Sequence, residues 1–286
     1  MNAPASSILL VGVGGMLARA FEELLQARGR AYDAPPLDVL DLTQPNTIVS
    51  TLTAQYQLVI NTAAWTDVDG AETSEEKAHA VNATGASHLA QRCREVGATL
   101  MHFSTDYVFN GKSSTPYPVS QPRDPINAYG RTKAVGERMV QTAGCKYLLV
   151  RTSWLYAPWG KNFVLTMMKL ARERESLQVV NDQRGRPTSA QHLARCAFDL
   201  FERKHTGTFH ITDGGACTWF DFASEIAGRV NPDCRVTPCT TDAFPRPARR
   251  PAYSVLDLTA TEKILGPMPD WRDNLAKVMA QVHAAS

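Results

Sequence analysis

The sequence carries almost no net charge: 30 lysines and arginines stand against 28 acidic side chains over 286 residues. A nucleic-acid binder needs a basic face, and a balance of +2 does not supply one. No stretch approaches the ~18 consecutive apolar residues of a membrane span. Six cysteines, at 93, 145, 196, 217, 234 and 239, include no CxxC pair and no Cys/His spacing of a zinc site. No disulfide framework is implied, so the thiols are expected to be packed and free. The opening Met-Asn-Ala-Pro-Ala-Ser-Ser lacks the basic and long apolar segments of a secretory signal. A cytoplasmic, reducing address is therefore expected. Low-complexity tracts and solenoid repeats are absent as well.

What is present is an ordinary globular composition, 44% hydrophobic and 20% charged, which excludes wholesale disorder. The length is about twice the ~150-residue domain prior, enough for two domains or one large α/β unit. Ile8-Leu9-Leu10-Val11 is a short apolar run ending at Gly12, and Met16–Ala27 follows with Leu17, Phe21, Leu24 and Leu25 on one face. That is strand, turn, helix. Helical patterns at Thr47–Gln55, Ser74–Glu95 and Tyr129–Gln141 alternate with apolar runs at 58–60, 99–103 and 147–150. Such alternation predicts an α/β fold, a Rossmann-like doubly wound parallel sheet with helices on both faces.

After Arg151 the texture changes, with Trp, Tyr, Pro and Gly crowded into Trp154–Gly160. Residues 1–150 are read as the nucleotide-binding lobe, with its sheet extended by 176–213. Residues 151–175 and 214–286 are read as a smaller lobe made of returning segments. The first 150 residues hold 12 basic and 14 acidic side chains, the remainder 18 and 14. The second half is thus the more receptive to an anionic small molecule.

Gly12-Val13-Gly14-Gly15-Met16-Leu17-Ala18 lies in the first strand-to-helix turn. Glycines there let a backbone approach a pyrophosphate that faces the helix N-terminus, although a plain tight turn has the same composition. The ribose-binding carboxylate expected after a second strand is harder to place, because Tyr32-Asp33-Ala34-Pro35-Pro36 puts proline there. Asp41-Leu42 is the better candidate to lie beside an adenine. Tyr129 and Lys133 stand at i and i+4 of a predicted helix and share a face. A fixed ammonium lowers a phenol's pKa by favouring phenolate, so the pair suits proton transfer to a carbonyl oxygen. Thr105, in Ser104-Thr105-Asp106 at the end of an apolar strand, offers a hydroxyl to the same oxygen.

These pieces, in this order, resemble the extended short-chain dehydrogenase/reductases, and within them the branch of nucleotide-sugar reductases that makes dTDP-L-rhamnose. The stretches that carry the resemblance are Asn61–Asp69 with Ala71-Glu72, Ser104–Gly111, Tyr129–Lys133 with Gly136-Glu137, Arg151–Tyr156, Asn181–Thr188 and Pro247–Pro251. The related 4,6-dehydratases carry Glu directly after Thr-Asp, where this chain has Tyr107, so dehydration is disfavoured.

The resemblance implies NADPH or NADH as hydride source for the C4 keto group of dTDP-4-dehydro-L-rhamnose, a step of cell-surface polysaccharide biosynthesis. Preference between the two cofactors is not read from these residues. It implies Thr105, Tyr129 and Lys133 as catalytic residues, with Tyr129 the proton donor. Gly12, Gly15, Met16, Leu17, Asp41, Leu42, Ala63 and Ala64, with Tyr129 and Lys133, would hold the cofactor. Val68, Thr105, Asp106, Tyr129 and Trp154 would meet the sugar, and Arg249 or Arg250 its diphosphate. Some relatives bind Mg²⁺ at a dimer contact through three glutamates, whose positions here are Ala20, Gln191 and Gln281. None is a carboxylate, so no Mg²⁺ site is expected, and a monomer or a dimer not linked by metal follows. Contact with the preceding 3,5-epimerase is one arrangement the resemblance allows. Another nucleotide-sugar reductase or epimerase, and a non-catalytic regulatory subunit of the methionine adenosyltransferase type, remain as alternative readings.

Overall fold

Strands buried on both faces need continuous apolar runs, because helices cover each side of a parallel sheet. In the computed structural model, which describes residues 7–284, five such strands lie side by side. They are Ile8–Val11 (β1), Leu58–Asn61 (β2), Thr99–Thr105 (β3), Lys146–Thr152 (β4) and Gly207–His210 (β5), all parallel, in the order β1-β2-β3-β4-β5. The longer helices are Met16–Ala27 (α1), Ala86–Val96 (α2), Ala128–Thr142 (α3), Phe163–Glu173 (α4), Ala190–Glu202 (α5), Trp219–Val230 (α6) and Trp271–Ala284 (α7). Residues 1–6 and 285–286, the ends of the two expected lobes and most of the segment judged free of a secretory signal, lie outside the described residues. Among the described residues no helix is long and apolar enough to cross a membrane.

The two-residue period of β1 sorts its side chains between two cores. Ile8 and Leu10 meet Leu17, Phe21 and Leu25 of α1 and Leu193 and Phe198 of α5, whereas Leu9 and Val11 meet Leu89 and Cys93 of α2. Each such aliphatic side chain, fully removed from water, contributes about 1.5–3 kcal/mol.

A reversal in strand order decides where a ligand can enter. Asp33 bonds one edge of β1, through Leu10 N to Asp33 O at 2.8 Å and Asp33 N to Ile8 O at 2.9 Å. The chain then crosses to the other edge, where Leu58–Asn61 pairs with Ile8–Val11. A crevice opens above the carboxyl ends of neighbouring strands where an open sheet switches direction in this way.

Two elements differ from the expectations. Of the stretch 176–213, Gly207–His210 joins the main sheet, but Ser176–Val180 pairs in parallel with Arg235–Cys239 in a separate two-stranded sheet. The reason lies in its pattern: Ser176 and Gln178 are exposed while Leu177 and Val179 are buried, so this strand has one apolar face, not two. That face lies in the second core, with Met168 of α4, Phe222 of α6 and Trp271 of α7. The single helix expected over Ser74–Glu95 is interrupted by a π-helical turn at Ala80–Gly85. There the Asn82 side chain accepts from Trp65 N at 2.9 Å and donates to Trp65 O and to Thr132 Oγ1, both at 3.1 Å. The wider turn brings this amide inward to tie down the loop after β2.

Asp213 pins the two cores together. Its carboxylate, fully buried, meets His192 Nδ1 at 2.6 Å and accepts from Asn274 Nδ2 at 2.8 Å, Tyr156 Oη at 3.1 Å and Ser189 N at 3.1 Å. Burial alone would depress the imidazole, but the hydrogen bond to Asp213, with Cys196 adding, more than reverses this and lifts His192 to about 9. Asp213→Ala lets His192 lose its proton and leaves the buried donors Asn274 Nδ2, Tyr156 Oη and Ser189 N without their acceptor, and is expected to lower unfolding free energy by about 2–4 kcal/mol in urea titrations. His192 binds its proton more tightly folded than unfolded, so its contribution is complete below pH 6.5 and fades as pH climbs through about 9. The stability gap between wild type and His192→Gln should accordingly narrow over that interval, and a gap independent of pH would refute the charged pair.

Candidate active site

Gly12 ends β1 at φ +94°, a region open to glycine, and a Cβ there would lie 2.5 Å from Ala63 N at the end of β2. This close approach floors the crevice between β1 and β2. Gly14 also has positive φ, at +82°, and Gly15 precedes α1 without a side-chain cap. The first amides of α1 are thus not claimed by any capping side chain.

Above this floor lies a cleft of about 780 Å³. Gly12, Gly15, Met16, Leu17, Asp41, Leu42, Ala63 and Ala64 line one arm. Val68, Thr105, Asp106, Tyr129, Lys133 and Trp154 line the other. Of the residues singled out in the sequence, Arg249 and Arg250 are not brought to it. Arg250 pairs with Asp69 at 3.0 Å and donates to Ala248 O at 2.9 Å, while Arg249 is exposed and its carbonyl accepts from Asn127 Nδ2. The Rossmann-type carboxylate is also displaced: Asp33 accepts from Tyr56 Oη at 2.7 Å, and Pro35 lines the cleft instead. Asp41 is held by Thr43, whose N and Oγ1 both donate to its Oδ1 at 2.8 Å.

Asn127 sets the start of α3, its Oδ1 accepting from Gly130 N at 2.7 Å as an N-cap. Tyr129 and Lys133 follow one turn apart. Lys133 is 2% exposed, and its Nζ donates to Phe103 O at 2.6 Å. Burial draws this ammonium down to about 8, opposed by Glu137. Burial raises the Tyr129 phenol above its ordinary value, a hydrogen bond with Thr105 opposes that, and the charge of Asp106 adds to it. The lowering of Tyr129 by Lys133 expected from their spacing is therefore not what governs the phenol. The ammonium is engaged by a backbone carbonyl, and loss of solvent dominates.

Asp106 is buried beside them. Thr105 Oγ1 donates to its Oδ1 at 3.0 Å and itself accepts from Tyr107 N at 3.1 Å. Burial pushes the carboxyl up to about 6 against hydrogen bonds from Ser254 and Thr105. Behind the pair, burial holds His102 down at about 3, with Lys133 adding to the effect, so this imidazole is neutral beside Asn61 Nδ2 at 3.0 Å.

The far wall is aromatic. Trp154 adopts φ +47°, unusual for a bulky residue, and its ring stacks on Trp219 at 3.6 Å with an 11° tilt. A Cβ on Gly185 would lie 2.6–2.9 Å from the indole of Trp154. Trp219, Tyr107 and Lys161 also line the cleft. Neither Trp219 nor Lys161 was among the expected site residues; Lys161 directly follows the Trp-, Tyr- and Pro-bearing segment Trp154–Gly160. The three positions aligned with metal-binding glutamates hold no carboxylate: Ala20 is buried, and Gln191 Nε2 donates to Glu23 Oε2 and Gln281 Oε1, both at 3.2 Å.

Comparison with known proteins gives a consistent result. The family model described as the RmlD substrate binding domain matches residues 6–284. A dTDP-4-dehydrorhamnose reductase of Burkholderia thailandensis is 38% identical, over 93% of this chain and 95% of the relative. A crystal structure of such a reductase from Clostridium acetobutylicum superposes with a TM-score of 0.93 at 38% identity, covering 96% of this chain and 99% of the other. Another from Bacillus anthracis, solved in complex with NADP, gives 0.91 at 35% identity, covering 96% and 98%.

The aromatic wall can be tested without any ligand. Gly185→Ala puts a methyl group where the Trp154 indole lies, so the stack on Trp219 must loosen. The exciton couplet that two stacked indoles give in circular dichroism should weaken in this variant as it does in Trp219→Phe. An unchanged couplet in Gly185→Ala would contradict the packing described.

Proposed function

The chain belongs to the RmlD substrate binding domain family, and on that premise we propose that it reduces the C4 keto group of dTDP-4-dehydro-L-rhamnose to give dTDP-L-rhamnose, using NADPH or NADH. The observation that carries this reading is the convergence of Thr105, Tyr129 and Lys133 on one cleft that begins at the glycine turn after β1. The fit to a dinucleotide rests on that turn: a bare Gly12 against Ala63 and an uncapped α1. Gly12, Gly15, Met16 and Leu17 would hold its diphosphate, Asp41, Leu42, Ala63 and Ala64 its adenosine half, and Lys133 its nicotinamide ribose. When bound, the nicotinamide supplies the hydride that adds to C4 of the sugar.

The protein's own part is to bind, orient and protonate. Because burial favours the neutral phenol, Tyr129 enters the reaction bearing its proton and delivers it from Oη to the C4 oxygen as negative charge develops there. Lys133, with its pKa of about 8, stays largely charged at neutral pH. One helical turn away, it offsets the phenolate left behind. Thr105 would orient the carbonyl through its hydroxyl. Asp106, with Val68 and the edge of Trp154, would meet the sugar. A cytoplasmic address is part of the same proposal. We take the working unit to be a monomer or a dimer formed without metal.

A coupled assay that generates a dTDP-4-keto-6-deoxyhexose and follows oxidation of NADPH or NADH, with the stereochemistry of the product identified, tests the reading. No oxidation of either cofactor by folded protein would reject it. Tyr129→Phe should lower kcat by roughly 10²–10⁴-fold while cofactor affinity stays within about twofold, since only the transferable proton is lost. If ionised Asp106 accepts a sugar hydroxyl, kcat/KM should rise with pH through about 6 in the wild type. That limb should vanish in Asp106→Asn, and its persistence there would assign it to another group.

A further inference from the structure

A diphosphate entering the cleft brings negative charge, and the cleft offers little to meet it. Tyrosines aside, its ionisable lining residues are Asp41, Asp106, Lys133 and Lys161. Lys133 is buried with its Nζ on the Phe103 carbonyl. Along the nucleotide arm, from Gly12 to Leu42 and from Thr62 to Ala64, no lining residue is cationic and Asp41 is anionic. Lys161 is different. It is exposed, and no hydrogen bond or ion pair among the described residues engages it.

Its position is set by its neighbours. The Trp159 indole donates to Met16 O at 3.1 Å, and the Arg19 guanidinium lies over that indole at 4.2 Å. Asn162 Nδ2 donates to Ala157 O at 2.9 Å and Trp159 O at 3.1 Å, and lies 3.8 Å from Met16 Sδ. Gly160, at φ +73°, packs so closely that a Cβ would come within 3.3 Å of Met16 Cγ. Residues 157–162 therefore form a strap, folded on its own hydrogen bonds and laid against the first residue of α1. The other end is tied to the second lobe, because Asn162 Oδ1 caps α4 through Leu165 N at 3.1 Å.

We propose that Lys161 is a diphosphate-binding residue of the cofactor site, its ammonium reaching from the strap to the same phosphates that the first amides of α1 receive. The inference deepens the reductase reading and rests on it. Diphosphates occur in both the dinucleotide and the dTDP-sugar, and the anchorage on Met16, beside the glycine turn, assigns Lys161 to the dinucleotide. The ion pair completes a site that otherwise depends on backbone dipoles. It also makes cofactor affinity depend on a segment contributed by the second lobe.

Equilibrium binding to the full-length protein, by calorimetry or tryptophan quenching, separates the possibilities with NADPH, NADH, ADP, adenosine and dTDP as probes. In Lys161→Ala the Kd for both dinucleotides and for ADP should rise roughly three- to tenfold, with a shallower dependence on salt than in the wild type. Lys161→Arg should retain most of the affinity, and adenosine and dTDP should bind as before. An unchanged dinucleotide Kd, a loss confined to dTDP, or a loss for adenosine as large as for ADP would each overturn the assignment. Wild-type protein that bound neither dinucleotide would instead reject the reductase reading, and this inference with it.

Discussion

Glu137 is a carboxylate with no exposed side-chain surface, and a charge so placed is tolerated only where counter-charges and hydrogen bonds meet it. Arg151 of β4 does so through both Nε and Nη2 at 2.8 Å, and Arg123 adds a second guanidinium. Burial works against ionisation here, but the arginines outweigh it and hold Glu137 below the usual carboxylate range. The consequence is geometric. This clamp, with the Lys133 bond to Phe103 O, fixes the rotation of α3 over β3 and β4. Tyr129, one turn before Lys133 and two before Glu137, can then face only the cleft. A helix docked by apolar contacts alone would have more freedom to roll, and a proton donor tolerates little of that.

The cleft is assembled from residues of two cores. The first supplies a floor of glycine backbone and strand ends, where chain reversal between the edges of β1 leaves a crevice. The second supplies an aromatic wall, Trp154 on Trp219, and the strap that carries Lys161 passes between the two cores, its Ala157 and Trp159 packed on the first and Phe163, directly after it, on the second. Asp213 and His192 tie the cores together through a buried ion pair. A small relative shift of the cores would change the cleft directly, so the charged pin serves the site as well as stability.

Much of the site was legible because its parts are local. Gly12 through Ala18 announce a βα turn by composition, and Tyr129 and Lys133 announce a shared helix face by spacing alone. Thr105 and Asp106 were recognisable at the end of an apolar run. Other features depend on distant segments. Whether Lys133 addresses the phenol or a carbonyl depends on where Phe103 O lies, 30 residues upstream. Whether Arg250 is free for a phosphate depends on Asp69, and the two meet only in the folded chain. Residues 176–213 were expected to extend the main sheet, but Ser176–Val180 pairs with Arg235–Cys239, nearly 60 residues away.

The amino-acid order by itself determined the alternation of buried strands and amphipathic helices, the glycine turn, the Tyr-Lys pair and the absence of carboxylates at Ala20, Gln191 and Gln281. These follow from periodicity and side-chain chemistry within a few residues, which short-range sterics and hydrophobicity decide. Tertiary structure alone decided the protonation preferences of Tyr129, Lys133 and Asp106, the engagement of Arg250, and the placing of Lys161 by the start of α1. Each depends on burial or on a partner from elsewhere in the chain. Desolvation and Coulomb attraction act through space, so they became visible only once the fold had set the distances.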